Sequence, residues 1–171
     1  MIEIERKFLL KGIPDKKPNE IIKISQWYLK NEDGIWERVR SWNSNINGKK
    51  WIHTIKTRVS EMSNMEEEKE ITENEFNLFR RRCHSKKNQG RSINKERRIY
   101  VDGDLKWEVD IFKSGCQLVI AEIEIPTEDF EIILPDFIDK KNLMEVTGLK
   151  QFSNRSLANK VKVKLYKKYG K

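Results

Sequence analysis

The sequence predicts a mainly β member of the α+β class: an eight-stranded antiparallel β-barrel forming a tunnel with a charged lumen, with helices packed outside. Three observations lead there. Apolar and polar residues alternate with period two in eight separate stretches, the mark of strands with one buried face. Turn signals suited to antiparallel hairpins separate several of them, at Asn31-Glu32-Asp33-Gly34, Asn47-Gly48 and Asp102-Gly103-Asp104. Acidic and basic residues also segregate by strand, where a face chosen for solubility alone would mix the two signs.

The first predicted strand, 2–10, carries Glu3, Glu5 and Lys7 on one face, against mostly apolar residues on the other. Gly12 to Lys23 reads as a turn and a short helix at most. Strand two covers 24–31. Strand three, 35–42, offers Arg38 and Arg40, with Trp36 and Trp42 on the same parity. In strand four, 50–58, Lys56 and Arg58 follow Thr54, Arg58 at the strand end where lumen and surface are equally open to it. Strand five, 66–71, offers Glu68 and Glu70. Strand six, 94–101, presents Lys95 and Arg97, or in the other register Glu96 and Arg98. Strands seven and eight, 105–112 and 118–126, present Glu108 and Asp110, then Glu122 and Glu124.

Helices fill the gaps. Thr72 and Glu75 form a capping box, in which the hydroxyl and the carboxylate satisfy free backbone N–H groups at a helix start. That helix would bury Phe76, Phe79 and Cys83. A second runs from about Glu128 until Pro135 stops it. A third spans about Ser153 to Tyr166, with Leu157, Val161 and Leu165 on one stripe.

At 171 residues the chain suits a single domain, 1–171, able to bury a core without metal or disulfide staples. Five Trp, seven Phe and four Tyr argue against disorder. The 35 Lys and Arg exceed the 27 Asp and Glu by eight, which favours an anionic partner. Two cysteines, Cys83 and Cys116, lack any framework spacing, so a reducing cytoplasm is the expected compartment. No run of about 18 apolar residues points to a membrane.

Closing eight antiparallel strands into a barrel removes the exposed edges of an open sheet. With helices outside, the charged faces turn inward. Such a lumen must be wet, because each desolvated ion costs several kcal/mol. Acidic pairs would then seek a divalent cation such as Mg²⁺ or Mn²⁺, and basic pairs a polyanion. A metal with a chain of phosphates meets both demands.

These residues resemble the CYTH domain, or triphosphate tunnel metalloenzymes. Glu3-Ile4-Glu5-Arg6-Lys7 is similar to the family's ExExK signature, Gln26-Trp27-Tyr28-Leu29 to its QxYL strand, and Arg38-Val39-Arg40 to its RxR strand. Thr54-Ile55-Lys56 resembles TxK, Glu68-Lys69-Glu70 the central ExE, and Lys95-Glu96-Arg97 the KxR strand. Glu108-Val109-Asp110 and Glu122-Ile123-Glu124 supply the last acidic strands, and Glu145-Val146-Thr147-Gly148 with Asn154 and Leu157 is similar to the closing EVTG and N-x-x-L segment. The match runs in order along nearly the whole chain.

The resemblance implies a hydrolase of triphosphate substrates, above all inorganic tripolyphosphate, dependent on Mg²⁺ or Mn²⁺. Within the family the rivals are thiamine or nucleoside triphosphatases and class IV adenylate cyclases; outside it stands a non-catalytic RNA or polyanion binder. Carried over, Glu3, Glu5, Glu122 and Glu124 would hold the metal. Lys7, Arg38, Arg40, Lys56, Arg58, Lys95, Arg97 and Lys150 would hold phosphates. Glu68, Glu70, Glu108 and Asp110 would serve a second metal or position the attacking water, and Lys7, Lys56, Glu70 and Asp110 stand as the candidate catalytic residues. The implied partner is a triphosphate-containing small molecule, with a homodimer as the implied assembly and neither nucleic acid nor membrane as a partner. Two departures stand out: Lys150-Gln151-Phe152 where many members carry a basic residue, for which Lys150 would compensate, and Glu66 where many carry an Arg.

Overall fold

The structure is a computed structural model, and it describes residues 2–29, 35–84, 91–113 and 118–158. The Asn31–Gly34 turn, most of the basic loop after His84, Cys116 and the third helix beyond Ala158 fall outside them.

Among the described residues nine strands form, all pairing antiparallel: β1 (Ile2–Leu10), β2 (Glu20–Leu29), β3 (Ile35–Ser44), β4 (Gly48–Arg58), β5 (Ser63–Ile71), β6 (Ser92–Asp102), β7 (Leu105–Phe112), β8 (Val119–Glu124) and β9 (Leu143–Glu145). The order β5-β4-β3-β2-β6-β7-β8-β1 closes through a β5–β1 pairing, so eight strands make a barrel and β9 lies outside the ring. Gly48 (φ 71°) and Gly103 (φ 59°) take the left-handed conformation their tight hairpins require.

Closure is partial along β1. Its first residues pair with β5 (Ile2↔Met65, Glu3↔Asn64), whereas Phe8, Leu9 and Leu10 pair with β9 instead. The Glu145-Val146-Thr147-Gly148 motif is therefore a fastening. Arg6 donates to both carboxylate oxygens of Glu145 (2.8 and 2.7 Å), the Lys7 amide donates to Thr147 Oγ1 (3.0 Å), and Val146 N–H donates to the Lys7 carbonyl (2.8 Å). Gly148, at φ 72°, then turns the chain back across the tunnel end.

Two coverings shield the barrel's apolar outer face. Helix α1 (Glu73–Cys83) starts at the predicted capping box, where Thr72 Oγ1 accepts from the Glu75 amide and Glu75 accepts from the Thr72 amide. It packs Phe76 over Val39 and Ile71 and also buries Cys83, with Phe79 half-buried. His53 lies under it, stacked on Phe79 and 2.8 Å from a Glu37 carboxylate oxygen.

The second covering corrects the helix predicted from Glu128 to Pro135. That segment is irregular, with only a turn at its start. Its own alternation explains this: Phe130, Ile132 and Leu134 pack inward on the cluster around Trp107 and Ile123, while Glu131 and Ile133 face solvent. A helix would have thrown Ile132 to the side opposite Phe130 and Leu134, so an extended strap buries more apolar surface. Likewise the turn after Gly12 ends by Asn19, and 20–23 belong to β2, where Ile22 is fully buried.

Helix α2 (Asn154–Leu157) follows a single 3₁₀ turn at Lys150–Phe152. Phe152, Leu157, Ala158 and Val146 pack against Leu9, Tyr28, Ile93, Phe112 and Ile120. By strand alternation those five share faces with Lys7, Gln26, Lys95, Asp110 and Glu122. They are lumen residues, so α2 closes one end of the tunnel with an apolar plug.

Candidate active site in the tunnel

Strand register decides which charges meet. Lys7 lies opposite Glu122, Lys56 opposite Glu66, Thr54 opposite both Arg38 and Glu68, and Arg97 opposite Asp110. Directly opposite residues share a face, so basic β4 meets acidic β5 and basic β6 meets acidic β7, while β3 reaches the β5 acids only across Thr54 of β4. Lys95 and Arg97 are the inward pair of β6, while Arg98 pairs outside with Glu96 (3.0 Å).

An unbroken chain of ion pairs results. Arg40 holds Glu68 (2.8 Å), which Thr54 and Arg38 also touch (2.9 and 3.5 Å); Arg38 reaches Glu66 (3.3 Å), and Glu66 pairs closely with Lys56. Lys56 approaches Glu5 (3.7 Å), Glu5 meets Lys7 (3.1 Å), and Lys7 donates to Glu122 (2.7 Å). Glu122 accepts from Arg97 (3.1 Å), and Arg97 grips Asp110 through Nε and Nη2 (2.7 and 2.8 Å) as well as Glu108. Lys95 completes the chain on Asp110, with a further bond to Asn154 Oδ1 (3.2 Å).

The two halves of this chain differ. Asp110 is fully buried and accepts from both Lys95 and Arg97, which gives each cation a hydrogen-bonded carboxylate even though burial and then Arg97 lower the Lys95 pKa to about 8. On the β3 side, Nε of Arg38 and Nε of Arg40 are buried without a hydrogen-bond partner. Burial and then the adjacent Arg38 push the Arg40 pKa down to about 10, which marks a guanidinium short of negative charge. Near the β1–β5 seam the deficit reverses. Burial, then Glu66, Glu124 and Glu5, push the Glu3 carboxyl up to about 7 despite Lys56 nearby. One lumen thus holds under-served cations and crowded carboxylates.

Strand β2 lines the lumen with Ile22, Ile24, Gln26 and Tyr28 and adds no charge. Gln26 donates to the Tyr28 hydroxyl, and burial pushes the Tyr28 pKa up to about 12. The QxYL motif was the available signal for these two. Trp42 lies beneath Arg40 (5.1 Å from guanidinium carbon to ring centre) and Trp36 beneath Arg155 (3.2 Å).

Not every predicted site residue joins this constellation. Arg58 is exposed and donates to the Ser60 carbonyl (2.9 Å), because the strand ends there and the chain turns. Lys150 is exposed on the 3₁₀ turn outside the plug, since Phe152 takes the inward position. Glu70 and Glu124 are exposed toward the ends of β5 and β8. Glu66, read from sequence as a departure, is a buried member of the chain.

Among the described residues no three His, Cys, Asp or Glu side chains are arranged to hold a metal ion. The donor chemistry nonetheless suits one: Glu5 lies directly opposite Glu124, and Glu3 is crowded by both. Hard carboxylate oxygens fit Mg²⁺ or Mn²⁺. Glu122, tied to Lys7 and Arg97, is less available. No helix among the described residues is long and apolar enough to cross a membrane.

No family model matches the chain. An inorganic triphosphatase of Acetivibrio thermocellus is 32% identical over 157 residues, spanning 91% of this chain and 92% of its own. A solved inorganic triphosphatase structure matches with a TM-score of 0.59 at 28% identity, over 91% of this chain and 93% of that one. The barrel is also shared with a putative adenylate cyclase of Vibrio parahaemolyticus (TM-score 0.51, 17% identity, 75% of this chain and 78% of that one). With 32% identity to a named relative over nearly the whole of both chains, and a tunnel lined by paired acids and bases, the chain belongs to the family of inorganic triphosphatases.

Proposed function

We propose that the chain is a CYTH-type tunnel enzyme that hydrolyses inorganic tripolyphosphate to pyrophosphate and orthophosphate with a divalent metal, Mg²⁺ or Mn²⁺, in the cytoplasm. One observation carries the reading: buried Nε donors without a partner on Arg38 and Arg40, with Arg40 short of negative charge, share a lumen with the crowded carboxyl of Glu3. A polyanion met by a divalent cation relieves both.

Arg38 and Arg40 would bind phosphate oxygens through their unused donors, bidentate where the planar fork allows. Lys56 and Lys7 would add point charges from the neighbouring walls. As phosphate arrives, Glu66 yields part of its hold on Lys56 and Arg38, so the internal acid keeps the cations in place until substrate replaces it. Glu3, Glu5 and Glu124, with Glu122 adjoining, would hold the metal, which when bound neutralises charge on the phosphate oxygens. Water attacks the terminal phosphorus in line, the bond to the bridging oxygen breaks, pyrophosphate leaves with the electron pair, and the proton released by the water passes to a product phosphate oxygen or to solvent. Alignment and charge neutralisation supply most of the rate, as phosphoryl transfer requires little covalent work from protein groups. Glu108 and Asp110 stay bound to Arg97 and Lys95 and hold that wall in position.

The test is a panel of tripolyphosphate, ATP and thiamine triphosphate with Mg²⁺ or Mn²⁺, scored for orthophosphate and pyrophosphate. Orthophosphate from tripolyphosphate, abolished by Glu5→Gln or Lys56→Ala, is the expected outcome. Pyrophosphate from ATP with a cyclic product would identify a cyclase. No turnover of any substrate, with anion binding that persists in chelator and weakens steeply with salt, would replace the enzyme by a polyanion binder.

A further inference from the structure

The closed end of the tunnel carries a cation that the ion-pair chain leaves out. Arg155 lies on α2, whose neighbours Phe152 and Leu157 fill the tunnel end and whose Asn154 accepts from Lys95 inside it. Its guanidinium carbon stands 3.2 Å from the centre of the Trp36 ring. Trp36 shares its strand face with Arg38 and lies directly opposite Lys56, so Arg155 is stacked on a lumen side chain.

Its charge is poorly served there. Nη1 of Arg155 is buried with no hydrogen-bond partner. Burial and then the nearby Arg91 lower its pKa to about 10, against a smaller opposing pull from Tyr28. Tyr28 in turn lies within the field of Arg38. A guanidinium held over an aromatic ring, beside other cations and with a donor unused, is suited to an anion with several oxygens.

We propose that Arg155 is a substrate-binding residue that takes the unsubstituted terminal phosphoryl group of the triphosphate at the plugged end of the tunnel, facing Arg38 across Tyr28. This rests on the triphosphate reading above. It assigns to the closing helix the basic contribution that exposed Lys150 does not make. Because Phe152, Leu157 and Val146 fill the space beyond, a terminal phosphate bearing a further group does not fit at this end; any nucleoside would leave by the other.

The experiment compares wild type, Arg155→Gln and Arg155→Lys by calorimetric titration with tripolyphosphate in chelator and by steady-state hydrolysis with Mg²⁺. Loss of a charged hydrogen-bonding partner predicts that Arg155→Gln weakens tripolyphosphate binding about tenfold or more and raises KM in parallel, with kcat nearly unchanged. Arg155→Lys recovers part of the affinity, because charge returns without the fork. Arg155→Gln affinity within about twofold of wild type overturns the proposal. Should Arg155→Gln fail to fold, Arg155→Lys decides it: full wild-type affinity at an unchanged melting temperature overturns the proposal, and weakened affinity supports it. Wild type that binds tripolyphosphate but never turns it over refutes the hydrolase reading and leaves Arg155 to be judged on affinity alone. Wild type that binds none overturns the proposal.

Discussion

Asp110→Asn separates the structural half of the ion-pair chain from the half left open to ligand. Asp110 is fully buried and accepts from Lys95 and twice from Arg97. Asn keeps the shape, removes the charge, and turns an NH₂ group toward donors. Lys95 would then retain Asn154 Oδ1 as its hydrogen-bond acceptor, and Arg97 would keep Glu108 and Glu122. Breaking a buried pair by removing one partner costs about 3–5 kcal/mol. With a urea m-value of about 2 kcal/mol/M, the unfolding midpoint should fall by about 1.5–2.5 M. The sign of the pH dependence follows from Lys95, whose pKa burial and Arg97 already lower to about 8 with Asp110 present. Losing the carboxylate lowers it further, so below pH 8 the unfolded variant binds more protons than the folded one, and its stability rises with pH. The deficit against wild type should therefore be larger at pH 6 than at pH 8. Urea unfolding followed by tryptophan fluorescence at both values measures it. A midpoint change under about 0.5 M would refute the reasoning and return Lys95 and Arg97 to the pool of cations free for phosphate.

Arg40→Met should behave in the opposite way: its guanidinium is underserved and Glu68 is 37% exposed, so thermal stability changes little while KM for tripolyphosphate rises about tenfold or more in steady-state assays. Thr72→Ala removes the acceptor that caps α1 and should cost about 1 kcal/mol in chemical denaturation, with turnover unchanged. Burial, then Glu37, pushes the Cys83 thiol up to about 12, so it stays protonated and shielded. Peptide mapping after iodoacetamide at pH 8 should find Cys83 unmodified in the native protein and labelled in urea.

The barrel was legible because its signal is local. Period two within a strand, and Gly at Asn47-Gly48 and Asp102-Gly103, are properties of adjacent residues. Neutralisation inside the lumen is not local. Read strand by strand, Lys95 and Arg97 are a basic pair suited to phosphate; only the antiparallel register shows that Arg97 also meets Asp110, and that buried donors without a partner remain at Arg38 and Arg40 in the lumen of the crowded Glu3 carboxyl. Glu66 shows the same dependence on register: a departure along the chain, it is the acid placed opposite Lys56. The strap at 128–135 was misread because Pro135 signals a helix stop as readily as an extended turn, although the in-out alternation of Phe130 to Leu134 was there to be counted. The plug was written in the strands themselves. Leu9 continues the face of Glu3, Glu5 and Lys7, Phe112 that of Glu108 and Asp110, and Ile120 that of Glu122 and Glu124. Three charged faces that turn apolar where they meet one cluster require an apolar cover, and the Leu157 stripe was the unplaced candidate. With Leu157 seated in the tunnel end and Asn154 on Lys95, the same turn sets Arg155 against Trp36, so the substrate contact proposed for Arg155 and the closure of the tunnel depend on the same four residues.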